Sequence, residues 1–267
     1  MIKNSLSIVI PCYKIDKNAQ YLNLLLKSIN NQYKNSFNLK KIILINDSPE
    51  FKLEDYIEPL LLTNNLIIKN NLVNSGQAFS RNIGLNLVTT EYVHFIDQDD
   101  FLNTSFYLNM QPDADILISK CVLAKKNLEI NHAKFSKNIW LSSFRNINKL
   151  KFFLLFDNII LSPGQAVFKA KIIRSINGFP ELKCYGSDDY GLMFKLAKNN
   201  YSYKYFKDSL YFHRLHEIQG KQFLNMRDSR KEFLNHTNSF FNWLCKVELF
   251  PFSILKKILY VFFYNRL

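Results

Sequence analysis

The sequence contains no run of about 20 uninterrupted apolar residues, which is the length that a membrane-spanning helix needs. The apolar stretch at residues 6–10 is stopped at once by Pro11, so we expect neither a signal peptide nor a transmembrane segment. Glycine-rich loops of the forms GxGxxG and GxxxxGK(S/T) are also missing. Their absence argues against a dinucleotide-dependent enzyme and against a P-loop NTPase.

Cysteine is scarce, and the four cysteines form no CxxC pair. This pattern indicates neither a zinc site nor a disulfide framework, so a reducing cytoplasm is the expected compartment. Basic residues outnumber acidic ones by 35 to 22, and the formal net charge of +13 favours anionic partners. Nucleic acid, phosphorylated small molecules and acidic lipid headgroups all qualify, while compositional bias is the alternative explanation of the charge.

Strand and helix patterns alternate through the first hundred residues. The predicted strands lie at 6–10, 41–45, 66–69 and 92–96, and the predicted helices lie at 20–32 and 75–87. In the first helix the leucines and isoleucine recur at three- and four-residue steps, which gives one apolar face. The alternation predicts βαβ units and an α/β fold with a mostly parallel sheet flanked by helices.

Beyond residue 100 the pattern is more mixed. We expect short helices at 103–109 and 149–156, a longer helix at 187–197, and extended segments at 115–121, 166–168 and 201–212. Helices dominate from residue 222 onward. We therefore predict an α/β domain over residues 1–220, followed by a helical C-terminal extension over residues 221–267.

Polar residues follow three of the predicted strands directly. They are Pro11-Cys12-Tyr13, Asn46-Asp47-Ser48 and Asp97-Gln98-Asp99-Asp100. Because the ligand site of an open parallel sheet forms at the carboxyl ends of its strands, we expect these segments to meet at one edge.

The third of these segments places three carboxylates within four residues. Such a cluster is electrostatically unfavourable unless a cation neutralises it, and a hard divalent ion with oxygen ligands, Mg²⁺ or Mn²⁺, is the natural partner. The alternative is a solvated acidic turn that caps the helix predicted at 103–109.

Residues 74–84 place small and polar residues at a helix start, with Arg81 one turn later. This surface suits a phosphate-bearing ligand. The alternative is an ordinary amphipathic helix that is capped by Asn74 or Ser75 and leaves Arg81 exposed.

The order and spacing of residues 7–13, 45–48, 74–84 and 95–100 resemble those of the family 2 glycosyltransferases, which are inverting enzymes of the GT-A fold. The resemblance covers about residues 5–217. It implies a GT-A-like fold and the transfer of a sugar from a nucleotide-sugar donor, most simply a UDP-sugar, with Mn²⁺ or Mg²⁺ as the metal.

The resemblance also implies roles for individual residues. Asp47 would contact the base or ribose, and Arg81 would lie near the base and pyrophosphate. Either Asp99 or Asp100 of the DxD region would ligate the metal directly. One departure is Asn46, where the family commonly has a second aspartate. The implied nucleotide-sugar-binding residues are Pro11, Tyr13, Asp47, Asn74, Gly76, Arg81, Asp97, Asp99, Asp188 and Arg214.

Two later motifs complete the resemblance. Residues 186–190 resemble the family's glutamate-aspartate motif, which makes Asp189 the implied catalytic base; the alternative is a helix capped by Ser187 or Asp188. Residues 213–216 resemble the family's Arg-x-His element, which implies His216 as a third metal ligand and Arg214 as a phosphate contact.

Residues 221–267 carry eight Lys or Arg against three Asp or Glu. A basic amphipathic pattern at residues 253–264 suits a helix lying on an anionic membrane, and packing on the catalytic domain is the equal alternative. We expect a cytoplasmic protein, with peripheral contact to the inner face of the membrane as one possibility.

The family resemblance, together with the basic residues 221–267, implies a metal-dependent hexosyl- or N-acetylhexosaminyltransferase of bacterial surface-polysaccharide synthesis. Its acceptor would be a saccharide, a lipid-linked saccharide, a lipopolysaccharide core or a capsule chain. The alternatives are a sugar nucleotidyltransferase, a catalytically silent relative and a non-catalytic basic nucleic-acid-binding protein. An acidic cluster at the ligand edge argues against nucleic acid.

Overall fold

The computed structural model describes residues 4–32, 37–124, 160, 162–182, 188–197, 199 and 201–214. The helix predicted at 149–156 and the extension predicted at 221–267 lie outside the described residues. Within the described part of the chain, no helix is long and apolar enough to cross a membrane.

The structure is built on one eight-stranded sheet with the order β3-β2-β1-β4-β7-β6-β8-β5. The strands are β1 (Ser5–Cys12), β2 (Asn38–Asn46), β3 (Leu66–Asn70), β4 (Tyr92–Phe95), β5 (Phe101–Leu102), β6 (Ile116–Ala124), β7 (Ala166–Lys169) and β8 (Tyr203–Arg214). The pairs β1/β2, β2/β3, β1/β4 and β6/β8 are parallel, and β4/β7, β6/β7 and β5/β8 are antiparallel. The predicted α/β fold with a mostly parallel sheet is confirmed.

Helices cover both faces of the sheet. They are α1 (Ile15–Asn30), α2 (Gln77–Leu87), α3 (Ala170–Ser175) and α4 (Asp188–Ala197), and short 3-10 helices span Leu53–Tyr56, Pro59–Leu61 and Pro163–Gln165. Because side chains alternate along a strand, Ile8 and Ile10 of β1 join one core with the apolar face of α1, while Val9 joins the other core. That second core includes Leu85 of α2 and Leu192 of α4.

The helix predicted at 103–109 is wrong, because these residues form turns. The side chain of Asn103 accepts a hydrogen bond from the backbone of Leu210 on β8 at 3.0 Å, and the side chain of Asn109 donates to the carbonyl of Asp208 at 2.9 Å. Asparagine side chains that bond to backbone groups in this way compete with helix formation. The segment consequently follows β8, and the short strand β5 just before it, which was not predicted from the sequence, pairs with β8 as well.

Candidate active site

The three strand ends predicted to converge lie side by side. The backbone N–H of Asp47 donates to the carbonyl of Cys12 at 2.8 Å, which joins the ends of β1 and β2. Gln98, after β4, accepts from the backbone N–H of Tyr13 at 3.1 Å and donates to its carbonyl at 2.7 Å. No role was predicted for Gln98 from the sequence, yet its amide holds the acidic segment against the end of β1.

Asp47 organises the loop that precedes α2. Its Oδ1 accepts from the side chain of Asn71 at 2.7 Å and from the backbone of Ser75 at 2.8 Å, and its Oδ2 accepts from the backbone of Gly76 at 2.8 Å. Gly76 has a φ of 88°, which is a conformation that favours glycine. Since a carboxylate offers about four acceptor positions, these three bonds leave Oδ2 able to accept one more.

The departure from the family pattern at Asn46 has a structural consequence. Its amide donates to the carbonyl of Phe51 at 2.8 Å and to the side chain of Asn70 at 2.9 Å. An ionised aspartate has no proton to donate, so it could not make either bond. Asn46 is fully buried and ties β2 to β3 behind the site.

The remaining residues predicted at the nucleotide edge differ in exposure. Pro11 is buried within β1, whereas Tyr13 keeps 44% of its surface exposed at the rim of the site. The Nζ of Lys14 lies 5.2 Å from the centre of the Tyr13 ring. The side chain of Asn74 donates to the carbonyl of Asp47 at 3.3 Å, and therefore supports the loop.

Arg81 lies at the centre of a group that we call the Arg81 cluster, consisting of Arg81, Asp97, Asp188 and Asp189. One Nη of Arg81 donates to Asp97 at 2.5 Å, and the other donates to Asp188 at 2.5 Å and to Asp189 at 3.0 Å. The arginine side chain is 1% exposed, so its guanidinium faces carboxylates and not solvent. A direct contact with pyrophosphate, as the resemblance implies for Arg81, would require some of these ion pairs to open.

The electrostatics of this cluster are unbalanced, because three carboxylates surround one cation. Burial opposes the charge of Arg81, but the charges of Asp97, Asp189 and Asp188 outweigh this effect and raise its pKa. The Asp189 side chain is 28% exposed, yet desolvation of its carboxyl group and the charge of Asp188 raise the pKa of Asp189 well above the usual range. The cluster therefore holds a carboxylate with a raised proton affinity at a partly open edge of the sheet.

Asp100, three residues after Asp97, lies in a different environment that we call the Asp100 cluster, made of Asp100, Tyr211, His213 and Arg214. Its Oδ2 accepts from the hydroxyl of Tyr211 and lies 3.2 Å from Nδ1 of His213, and its Oδ1 accepts from the backbone of Arg214 at 2.8 Å. Burial raises the pKa of Asp100 to about 6, although His213 opposes the shift. The same burial lowers the pKa of His213, but Asp100 outweighs it and the pKa reaches about 9.

Arg214 lies beneath the acidic segment. Its Nε donates to the backbone carbonyl of Asp99 at 2.7 Å, and its guanidinium lies 4.4 Å from the centre of the Tyr21 ring. Arg214 is buried, so the geometry gives it a supporting contact to Asp99 where the resemblance implies a phosphate contact. Asp99 itself is partly exposed.

Several predicted features lie outside the described residues, namely His216, Gly186 and Ser187. The structure also brings residues into the site that the sequence analysis missed. Gln77 and Ser162 both donate to Asp97, at 2.7 and 3.1 Å, and Tyr211 bonds to Asp100. Tyr211 and His213 share one face of β8. Period-two alternation along a strand that ends beside the acidic segment is the sequence signal that links them.

Comparisons with known proteins agree with this geometry. A family model described as "Glycosyl transferase family 2" matches residues 7–176. The chain matches none of the curated proteins significantly. Among solved structures, the 1–349 fragment of S. aureus TarS is 18% identical, with a TM-score of 0.60 over 93% of this chain and 73% of that one.

Two further TarS structures are similar to the chain. The fragment in complex with UDP-GlcNAc is 18% identical, with a TM-score of 0.61 over 93% of this chain and 71% of that one. Full-length TarS is 19% identical, with a TM-score of 0.58, and this chain spans 43% of it. At these identities the structures establish the fold, and the GT-A-like fold expected from the sequence is confirmed.

Proposed function

Because the chain belongs to glycosyl transferase family 2, we propose that it moves a sugar from a UDP-sugar to a hydroxyl of a saccharide acceptor, with inversion at the anomeric carbon and with a divalent metal. The observation that carries the proposal is the Arg81 cluster. It holds Asp97 of the DxD region and Asp189 of the α4 start on one guanidinium, at the carboxyl edge of the sheet.

The nucleotide part of the donor is assigned to the ends of β1 and β2. Asp47 retains one acceptor position on Oδ2, and the exposed ring of Tyr13 provides an apolar surface at the rim. A nucleoside has hydroxyl and imide groups that can donate to Asp47, and a flat base that can pack against Tyr13. TarS binds UDP-GlcNAc and UDP in its crystal structures, and this supports a uridine donor here.

The acidic segment fits a divalent metal that is completed by substrate oxygens. Among the described residues, no group of three or more His, Cys, Asp or Glu side chains is placed to hold a metal by protein ligands alone. Mg²⁺ and Mn²⁺ commonly bind through one or two carboxylates together with substrate phosphates, so this donor set is sufficient. We assign direct ligation to Asp99, since Asp100 is buried and already accepts bonds on both oxygens. Bound there, the metal would neutralise charge on the leaving diphosphate.

Asp189 is assigned as the general base. A carboxylate oxygen takes the proton of the acceptor hydroxyl while that oxygen forms its bond to the anomeric carbon. The bond between the anomeric carbon and the diphosphate oxygen breaks with its electron pair remaining on the diphosphate. Arg81 and Asp97 fix the position of Asp189, and the raised pKa of Asp189 increases its affinity for the proton that it must accept.

The biological setting is proposed as bacterial surface-polysaccharide synthesis, with a hexose or N-acetylhexosamine as the transferred sugar. The net charge of +13 and the basic residues 221–267 favour a location of the enzyme close to an anionic membrane surface, where lipid-linked acceptors reside. A lipopolysaccharide core or a capsule chain would serve as the acceptor in the same location.

The experiment that tests this function is a hydrolysis and binding assay over UDP-, GDP- and dTDP-sugars, with Mn²⁺ or with a chelator. We expect one class of UDP-sugar to be hydrolysed only with metal, and Asp99→Ala to lose that activity. Asp113→Ala is the control, because Asp113 is an exposed aspartate that pairs with Lys204. Failure to bind any donor would contradict the proposal and favour a catalytically silent relative, and metal-independent hydrolysis would remove Asp99 from its role.

A further inference from the structure

Two buried hydroxyl groups connect the Arg81 cluster to the Asp100 cluster. The Oγ of Ser162 donates to Oδ2 of Asp97 at 3.1 Å and lies 2.8 Å from the hydroxyl of Tyr211. The hydroxyl of Tyr211 in turn donates to Oδ2 of Asp100. Ser162 and Tyr211 are both buried, so water does not replace these contacts. The two ends of the acidic segment are therefore joined by a hydroxyl bridge, which consists of Ser162 and Tyr211.

The bridge depends on a glycine. A Cβ atom added to Gly164 would lie 2.5 Å from Cε2 of Tyr211, which is closer than side-chain atoms approach one another. The aromatic ring of Tyr211 therefore lies directly against the bare backbone of the short helix Pro163–Gln165. Any larger residue at position 164 would displace either the ring or the Ser162 turn.

A neutral histidine holds this turn from the other side. Burial lowers the pKa of His94 to about 4, so its ring carries one proton near neutral pH. Its Nε2 lies 2.7 Å from the carbonyl of Gly164, and a carbonyl can only accept, so Nε2 carries that proton. Its Nδ1 then accepts from the hydroxyl of Tyr107 at 2.8 Å. The turn that carries Ser162 is thus fixed to β4, the strand that leads to Asp97.

The hydroxyl bridge has fewer protons than contacts. Ser162 and Tyr211 supply two hydroxyl protons for three contacts. When Tyr211 donates to the carboxylate of Asp100, the proton of Ser162 is shared between Asp97 and Tyr211. Removal of the Tyr211 hydroxyl leaves Asp100 without one of its donors and Ser162 without one of its three partners, the others being Asp97 and the backbone N–H of Gly164, so both ends of the segment lose a restraint.

We propose that Tyr211 is a positioning residue which, through Ser162 and Asp100, fixes the backbone of residues 97–100 so that Asp99 faces the metal and the diphosphate. This inference rests on the proposed function. Arg214 completes the restraint from β8, since its backbone donates to Asp100 and its Nε donates to the carbonyl of Asp99. The backbone around Asp99 is held by buried groups, while the Asp99 residue itself is partly exposed.

Tyr211→Phe tests the proposal, because it removes one hydroxyl and keeps the ring. We expect Mn²⁺ to bind the protein–UDP complex about 10- to 100-fold more weakly, as is usual when a partner of a metal ligand is lost. The readouts are the signal of free Mn²⁺ in electron paramagnetic resonance and the Mn²⁺ concentration for half-maximal donor hydrolysis. Tyr92→Phe is the matched control, since the buried hydroxyl of Tyr92 donates to the carbonyl of Pro112 at 3.0 Å, far from Asp97 along β4.

A double-variant cycle distinguishes the bridge from a general loss of packing. The double variant that combines Ser162→Ala with Tyr211→Phe should lose much less Mn²⁺ affinity than the product of the two single-variant losses. Ser162→Thr, which keeps the hydroxyl, should bind Mn²⁺ more tightly than Ser162→Ala does. Mn²⁺ affinity of Tyr211→Phe equal to that of Tyr92→Phe would overturn the bridge while leaving the proposed function intact. A wild-type protein that hydrolyses no donor and binds no Mn²⁺ with UDP would overturn the proposed function itself, and the inference with it.

Discussion

Asp97 and Asp100 are three residues apart in one loop, yet they lie in opposite electrostatic environments. The Asp97 side chain is 17% exposed and shares Arg81 with Asp188 and Asp189. The Asp100 side chain is fully buried and is balanced by three hydrogen bonds from β8, one of them from His213. The Arg81 cluster has more negative charge than its single cation neutralises, whereas in the Asp100 cluster the positive charges of His213 and Arg214 outnumber the single carboxylate.

This difference gives the residues of a single motif two roles, one in the proposed reaction and one in holding the loop in place. A surplus of partly exposed carboxylates is unfavourable unless a proton, a metal or a substrate joins them, which is the property expected of a reacting site. A buried carboxylate whose two oxygens both accept hydrogen bonds instead fixes the backbone around it. The loop therefore takes part in the proposed reaction at Asp97 and Asp99, and is held in place at Asp100.

Among variants that distinguish the two clusters, we expect the largest effect, a loss of transfer rate, from Asp189→Asn. The amide can keep a contact with Arg81 but cannot accept a proton, so transfer should slow by about 10³-fold. Binding of UDP, measured by calorimetry, should stay close to that of the wild type. Asp208→Asn, at an exposed position on β8, is the control and should transfer sugar at the normal rate. A comparable rate in both variants would remove Asp189 from the role of base.

Arg81→Met should have the next largest effect, because it leaves three carboxylates without their shared cation. The free energy of unfolding should fall by about 3 kcal/mol, which is typical when one partner of a buried ion pair is removed. Urea denaturation without added metal measures this loss, and Arg81→Lys should retain part of the stability because it keeps the charge. Equal stability of wild type and Arg81→Met would show that the cluster does not depend on this charge.

The smallest effect concerns the Asp100 cluster and depends on pH. The pKa of His213 is raised to about 9 in the folded state, above its ordinary value, so its stabilising contribution is complete below about pH 6.5 and is lost as the pH rises toward 9. The loss should be about 1 kcal/mol, because 30% of the side chain is exposed and solvent screens the pair. Urea denaturation of wild type and His213→Gln between pH 6.5 and 9 measures it.

Other groups provide an internal reference for that experiment. Burial lowers the pKa of His94 to about 4, so its ring stays neutral throughout the window, and Asp100, with a pKa of about 6, completes its ionisation at the low-pH end of the window. The wild type should lose stability across the window relative to His213→Gln. Parallel pH profiles for the two proteins would show that the pair between His213 and Asp100 contributes nothing.

Much of the fold could be predicted from local patterns. The alternation of β1, α1, β2, β3, α2 and β4 is visible because each element carries its own period, and parallel connections then determine which strand ends meet. The turns at 103–109 were not predictable in this way, because asparagines there bond to a strand about a hundred residues later. The local sequence does not distinguish a short helix from such a turn, because the difference depends on contacts with the partner strand.

The sequence alone determined the α/β class, the family resemblance and the convergence of Tyr13, Asp47 and Asp97 at one edge, because these follow from short-range periodicity and from strand ends. Only the tertiary structure decided which carboxylates of the acidic loop face a cation and which are buried. That distinction depends on Arg81, Ser162 and Tyr211, which come from α2, a turn and β8. Contacts between residues so distant along the chain leave no periodic signal, since each is created only when the sheet places its strands together.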